Sequence, residues 1–100
     1  MRKDSSGRTF PMEPLRTDDW HVYIVECRDG SLYTGVAKDV AARVDTHNAG
    51  RGAKYTRAKR PVKLVHTESG FDRGSALSRE WAIKRMTRAA KLGMVVHGHT

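Results

Sequence analysis

Two runs rich in β-branched and aromatic residues, Val22-Tyr23-Ile24-Val25-Glu26-Cys27 and Leu32-Tyr33-Thr34-Gly35-Val36, flank Arg28-Asp29-Gly30-Ser31. Strand chemistry on both sides of so short a turn predicts a β-hairpin. The hairpin constrains more than its own strands, because side chains alternate faces and a slip of one residue inverts them. A two-residue Asp29-Gly30 loop would send Tyr23 and Tyr33 to opposite faces. A three-residue loop, Arg28-Asp29-Gly30, pairs Val25 with Tyr33 and gives the tyrosines a common face, with Gly30 left-handed in a bulged turn. The odd-length loop lets the two rings share a site, and it is the expectation.

Beyond the hairpin, Lys38-Asp39 offers an N-cap to a helix through Val40, Ala41, Ala42, Arg43, Val44, Asp45, Thr46 and His47, and Gly50 sits where that helix would stop. Residues 51–60 read as a loop closed by Pro61, and Val62-Lys63-Leu64-Val65-His66 alternates as a third strand. From Asp72 or Ser75 one long helix is expected through Ala76, Leu77, Trp81, Ile83, Met86 and Ala90 toward Gly93. The order is ββαβα: an α+β domain with a small, mostly antiparallel three-stranded sheet flanked by helices. Residues 1–19, with Pro11, Pro14 and no apolar period, read as a flexible extension, residues 20–93 as the domain and 94–100 as a tail.

Charge is where the chain departs from an ordinary small domain. The 100 residues carry a formal charge of +8, the balance of a protein that meets polyanions. The surplus is not spread evenly. Arg51, Lys54, Arg57, Lys59, Arg60 and Lys63 follow one another with no acid between them, and a second excess comes from Arg79, Lys84, Arg85, Arg88 and Lys91 against Glu80. A basic stretch interleaved with Tyr55 and Thr56 suits phosphate contact, and Lys54, Tyr55, Arg57, Lys59 and Arg60 are the candidate nucleic-acid contacts, Tyr55 by stacking on an exposed base. Cys27 is the single cysteine, which excludes an internal disulfide and a cysteine-based zinc site and fits a reducing compartment. With no stretch as long as a membrane span, a cytoplasmic protein without a membrane partner is expected. Oligomeric state is left open.

On this scaffold Tyr23 lies in the first strand, Tyr33-Thr34-Gly35 in the second, and Arg43 and His47 one helical turn apart on the first helix. With Glu80 on the later helix, this order and spacing resembles the GIY-YIG nuclease superfamily, and in particular its short standalone bacterial members. His21-Val22-Tyr23 stands for the first motif, with His21 where the family has glycine. Tyr33-Thr34-Gly35 stands for the second, and the stretches Asp29 to Gly35, His47 to Arg57 and Glu80 to Lys84 follow the standalone pattern. The resemblance spans about residues 20–92. It implies a catalytic set of Tyr23, Tyr33, Arg43, His47 and Glu80, in which one tyrosine as phenolate is general base, Arg43 steadies the phosphate, and Glu80 holds one divalent cation, Mg²⁺ or Mn²⁺. A phenol is a weak base at neutral pH unless nearby cations lower its pKa, the effect expected of Arg43 and the metal. His47 could orient water, share proton transfer or contact phosphate.

Each of these residues has a plainer reading beside the catalytic one. The tyrosines could be ordinary strand aromatics, and Gly35 could mark a bulge or a close backbone approach. Arg43 could pair with Asp39, His47 could favour the helix dipole, and Glu80 could pair with Lys84. Yet helical spacing puts Glu80 between Leu77 and Trp81 on one side and Ala76 and Ile83 on the other, an apolar seam that favours a metal-facing carboxylate. The activity implied is divalent-metal-dependent hydrolysis of nucleic-acid phosphodiesters, DNA foremost, in repair or processing. The alternative is a nucleic-acid-binding module of the same fold with little or no cleavage, which His21 at the motif glycine keeps open.

Overall fold

The computed structural model describes residues 18–98, with side chains through Val95. All of the expected extension except Asp18 and Asp19 lies outside the described residues. The elements run β1 (Trp20–Glu26), β2 (Leu32–Ala37), α1 (Val40–Asn48), α2 (Lys54–Arg57), β3 (Lys63–Phe71), α3 (Arg73–Lys84) and α4 (Arg88–Gly98). The three strands form one antiparallel sheet in the order β2-β1-β3.

The hairpin closes with the odd loop. Val25 pairs with Tyr33 and Tyr23 with Gly35. Cys27 N donates to Ser31 O at 2.8 Å across the turn. Gly30 sits at φ +87°, a conformation glycine adopts without the Cβ clash that other residues meet. The Asp29 carboxylate holds the turn by accepting from Ser31 N at 3.0 Å and Ser31 Oγ at 2.6 Å.

β1 is the middle strand and is buried on both faces, so its alternation writes two cores. Val22 and Ile24 pack with Val65, Ala76 and Ile83 beneath α3 and α4. Tyr23 and Val25 join Cys27, Ala37 and Val62 on the other face, against Tyr33 and the Val40 and Val44 edge of α1. At about 25 cal/mol per Å² of apolar surface removed from water, these two layers are the main stabilising term in so short a chain.

Three elements differ from the sequence expectation. The basic run is not all loop: its middle turns once as α2, with Thr56 buried inside it. β3 continues past His66 to Phe71, because its polar residues lie on an edge strand where alternate side chains face solvent. Glu68 is paired there by Arg79 of α3 at 2.7 and 2.9 Å. The long C-terminal helix is two helices, since Thr87 Oγ1 accepts from Ala90 N at 3.1 Å and so starts α4 afresh. That break turns α4 back onto the sheet, where Met94 and Val95 pack on the Val22 core. Residues 94–98 are therefore helix rather than tail. Among the described residues no helix is long and apolar enough to cross a membrane.

Candidate active site

The hairpin register delivers Tyr23 and Tyr33 to the face covered by α1. Tyr23 is 1% exposed, and its ring lies across its cross-strand neighbour Gly35, where an added Cβ would overlap the phenol. Gly35 is thus a close-approach glycine in the first instance. α1 is started by Asp39, whose carboxylate accepts from Ala42 N at 3.0 Å. That use of Asp39 displaces the simple pairing with Arg43, and no Asp39–Arg43 ion pair forms among the described residues.

One helix length onward, α1 drives His47 into the interior, 1% exposed. Its two ring nitrogens are both satisfied: Nε2 lies 2.8 Å from Tyr23 Oη and Nδ1 lies 2.9 Å from Thr56 Oγ1. Thr56 has one hydroxyl proton, and Thr56 Oγ1 donates it to Ala53 O at 2.9 Å. Thr56 must then accept from His47 Nδ1–H, which leaves Nε2 as the acceptor for the Tyr23 O–H. The result is a directed chain, Tyr23 to His47 to Thr56 to the Ala53 carbonyl. Gly52 closes over the imidazole so tightly that a Cβ there would overlap Nδ1.

Burial raises the Tyr23 pKa well above the phenol's ordinary 10.0, Tyr33 adds to the rise, Arg43 pulls it back, and Glu80 pushes it up again. Desolvation wins over the guanidinium. This reverses the expectation that Arg43 would leave the phenol poised for ionisation. Burial, followed by Arg43, lowers the His47 pKa, so the imidazole stays neutral, with Nε2 as the acceptor from Tyr23 Oη. The geometry places His47 Nε2 within hydrogen-bond reach of the Tyr23 hydroxyl.

Tyr33 stands edge-on to His47, with centroids 5.4 Å apart, and stacks on Tyr55 at 5.9 Å. Lys59 Nζ lies 3.8 Å from the Tyr55 centroid and 3.5 Å from Asp29 Oδ2. Lys59 therefore braces the column of rings, while Lys54, Arg57 and Arg60 are exposed on the same segment. Arg43 is also exposed on α1.

Glu80 reaches the site from α3, whose start is fixed by a capping box between Asp72 and Ser75. The Glu68–Arg79 fork ties α3 to β3 one residue before Glu80. The apolar seam expected around Glu80 is only half present: Ala76 and Ile83 are buried, whereas Leu77 is 36% and Trp81 62% exposed. Helix α3 meets the sheet along the Ala76–Ile83 line, which leaves Leu77 and Trp81 on its outer side. The Glu80 side chain is 19% exposed, and its Oε2 lies 3.2 Å from Lys84 Nζ. Lys84 Nζ in turn sits 5.5 Å from the Tyr33 centroid, linking the carboxylate to that ring.

Among the described residues no three His, Cys, Asp or Glu side chains group as a metal cage. Glu80 offers a single hard oxygen donor set. That suits a cation such as Mg²⁺, which keeps several waters and binds through one or two carboxylates plus substrate phosphate.

Sequence reasoning missed Thr56 and Gly52 as partners of His47, Asn48 as a clamp, and Lys84 as a bridge. Asn48 Oδ1 accepts from Val62 N at 2.7 Å, and its Nδ2 donates to Val62 O at 3.1 Å, fastening α1 to the start of β3. A signal existed for Thr56: a buried histidine needs two partners, and a hydroxyl lay within the run already singled out. His21 is remote from this cluster, at the start of β1, where Nδ1 lies 2.8 Å from Ser69 Oγ of β3.

A hairpin with two inward tyrosines, a helix carrying Arg43 and His47, and a later helix carrying Glu80 define one class of domain. The GIY-YIG catalytic domain model matches residues 19–93, and the chain belongs to that family. A UPF0213 protein of Staphylococcus epidermidis is 57% identical over 81 residues, 81% of this chain and 99% of that one. A UPF0213 protein of Staphylococcus aureus is 56% identical over 78 residues, 78% of this chain and 95% of its own length. The solution NMR structure of a protein from E. faecalis superposes with a TM-score of 0.56 at 37% identity, covering 84% of this chain and 90% of that one. That of the UPF0213 protein from Bacillus halodurans gives 0.50 at 42% identity, covering 77% and 82%.

Proposed function

We propose that the protein is an endonuclease that hydrolyses nucleic-acid phosphodiester bonds, DNA foremost, in the cytoplasm. The observation that carries this reading is the 2.8 Å hydrogen bond from Tyr23 Oη to a neutral, buried His47 Nε2, beside an exposed cationic segment. Hydrolysis needs a proton removed from water as its oxygen bonds to phosphorus. Tyr23 Oη accepts that proton while its own passes to His47 Nε2, so no free phenolate has to form in a buried site. The imidazolium that results is held by Thr56, which already fixes the tautomer. Arg43 binds a non-bridging phosphate oxygen and stabilises charge that grows in the transition state. Glu80 would hold a divalent cation, which neutralises the phosphate and the departing oxygen when bound. Lys54, Tyr55, Arg57 and Arg60 hold the strand.

The second reading, a nucleic-acid-binding module without cleavage, is favoured by one feature: Lys84 Nζ already sits on the Glu80 oxygen that a cation would need. Incubating the protein with branched, duplex and single-stranded DNA plus Mg²⁺ or Mn²⁺ separates the two. The nuclease reading predicts metal-dependent cleavage lost in Glu80→Ala and Arg43→Ala. Binding with no cleavage that distinguishes these variants from the parent leaves only the module.

A further inference from the structure

Away from the Tyr23 cluster, a second concavity of about 430 Å³ is lined by Arg28, Asn48, Arg57, Ala58, Arg60 and Pro61. Its three arginines come from separate stretches: Arg28 from the β1–β2 turn, Arg57 from α2, and Arg60 from the segment after it. The turn and the basic segment are stapled by Arg28 N donating to Lys59 O at 2.9 Å. Arg57 and Arg60 are each anchored through Nε, to Gly52 O at 3.4 Å and to Arg57 O at 2.8 Å. Their terminal nitrogens take no carboxylate among the described residues. Asp29, the acid beside Arg28, is turned away: Oδ1 accepts from Ser31, and Oδ2 faces Lys59. Asn48 spends its amide on Val62, so the wall it forms is held firm.

Three arginines from separate stretches, with no acid among the lining residues, suit an oxyanion with several acceptor oxygens. A carboxylate is satisfied by one guanidinium, whereas a phosphate can accept from several. We propose that this concavity is a phosphate site distinct from the scissile position, occupied by a terminal phosphomonoester or a non-scissile phosphodiester of the bound strand. The inference rests on the nucleic-acid reading for its ligand but not for its chemistry. α2 links the two sites, because Thr56 turns inward to His47 while the next residue, Arg57, lines the concavity. A phosphate held there sets the register of the strand across Tyr23, so cleavage falls at a fixed distance from the anchored group.

Inorganic phosphate titrated into the labelled protein, followed by NMR at the arginine Nε–H groups, tests the pocket without nucleic acid. The signals of Arg28, Arg57 and Arg60 should shift together and saturably, with Arg79, held by Glu68, as the unmoved control. Oligonucleotides ending in 5′-phosphate, 3′-phosphate or hydroxyl are then compared in EDTA by fluorescence anisotropy, with wild type and Arg28→Gln. The exposed Arg28 can change without unfolding the chain, which an unchanged backbone spectrum checks. Arg28→Gln should weaken binding about ten-fold. If end-phosphorylated strands bind tighter and lose that margin in Arg28→Gln, the ligand is the terminal group. If all strands bind alike and weaken alike, it is an internal phosphate. Unmoved arginine signals, or wild-type affinity of Arg28→Gln for every strand, overturn the proposal. Saturable phosphate binding with no strand bound overturns the nucleic-acid reading and leaves the pocket standing.

Discussion

Tyr23 Oη and His47 Nε2 lie 2.8 Å apart with both residues 1% exposed, so a fully buried polar contact joins the middle strand to the last turn of α1. Its direction depends on an uncharged imidazole. Burial and Arg43 hold the His47 pKa below its ordinary 6.5. Just below pH 6.5 the unfolded chain therefore takes up a proton that the folded chain refuses. The contribution to stability is complete above pH 6.5 and is lost as the pH falls from there toward the folded pKa. Urea midpoints from about pH 8 to about pH 5 should fall more steeply for wild type than for His47→Gln. Parallel curves would contradict a neutral His47.

Thr56→Val removes the acceptor of His47 Nδ1–H while keeping the shape of the side chain. A buried donor left without a partner costs about 1–3 kcal/mol, and the imidazole is freed to adopt the other tautomer. The variant should lose stability on that scale in denaturant and cleave more slowly, whereas Thr56→Ser should restore both.

Gly35 and Gly93 make a matched pair. An alanine Cβ at Gly35 would overlap the Tyr23 phenol, whereas one at Gly93 in α4 meets nothing within 4 Å. Gly35→Ala should destabilise by about 1–3 kcal/mol through overpacking, and Gly93→Ala should stabilise by about 0.4–1 kcal/mol through the unfolded chain. Thermal unfolding of the two variants reads the opposite signs directly.

The proposed contacts from Lys54, Arg57 and Arg60 to phosphate predict that affinity for DNA falls linearly with the logarithm of salt concentration. Each of these residues changed to Gln should lower the slope by about one while weakening all sequences alike. Lys59→Gln should act differently. Lys59 Nζ braces Tyr55 and Asp29, so its loss disturbs the ring column rather than removing one phosphate contact.

Much of this was legible in the residues because it follows from local rules. Loop parity decided that Tyr23 and Tyr33 share a face, Asp39 marked the start of α1, and the acid-free run from Arg51 marked the cationic segment. What escaped was decided by tertiary contact. Thr56 reads as one polar residue in a basic loop until His47 is buried and needs a second partner. Thr87 reads as mid-helix until Met94 and Val95 find the sheet. The Tyr23 pKa could not be signed from sequence, because a neighbouring Arg43 and full burial push it in opposite directions and only the fold says how complete the burial is. Leu77 and Trp81 likewise belong to an apolar stripe on paper, and which side of it meets the sheet depends on how α3 sits against β2.

In the proposed mechanism the Tyr23 hydroxyl moves the proton. Single-turnover cleavage of DNA in Mg²⁺ by Tyr23→Phe, with affinity measured alongside in EDTA, tests it most directly. Affinity should stay within about two-fold of wild type while the rate falls about 10²–10⁴-fold, the contribution of a positioned acid–base group. Cleavage by Tyr23→Phe within a few-fold of wild type would contradict the account and move the chemistry to another residue.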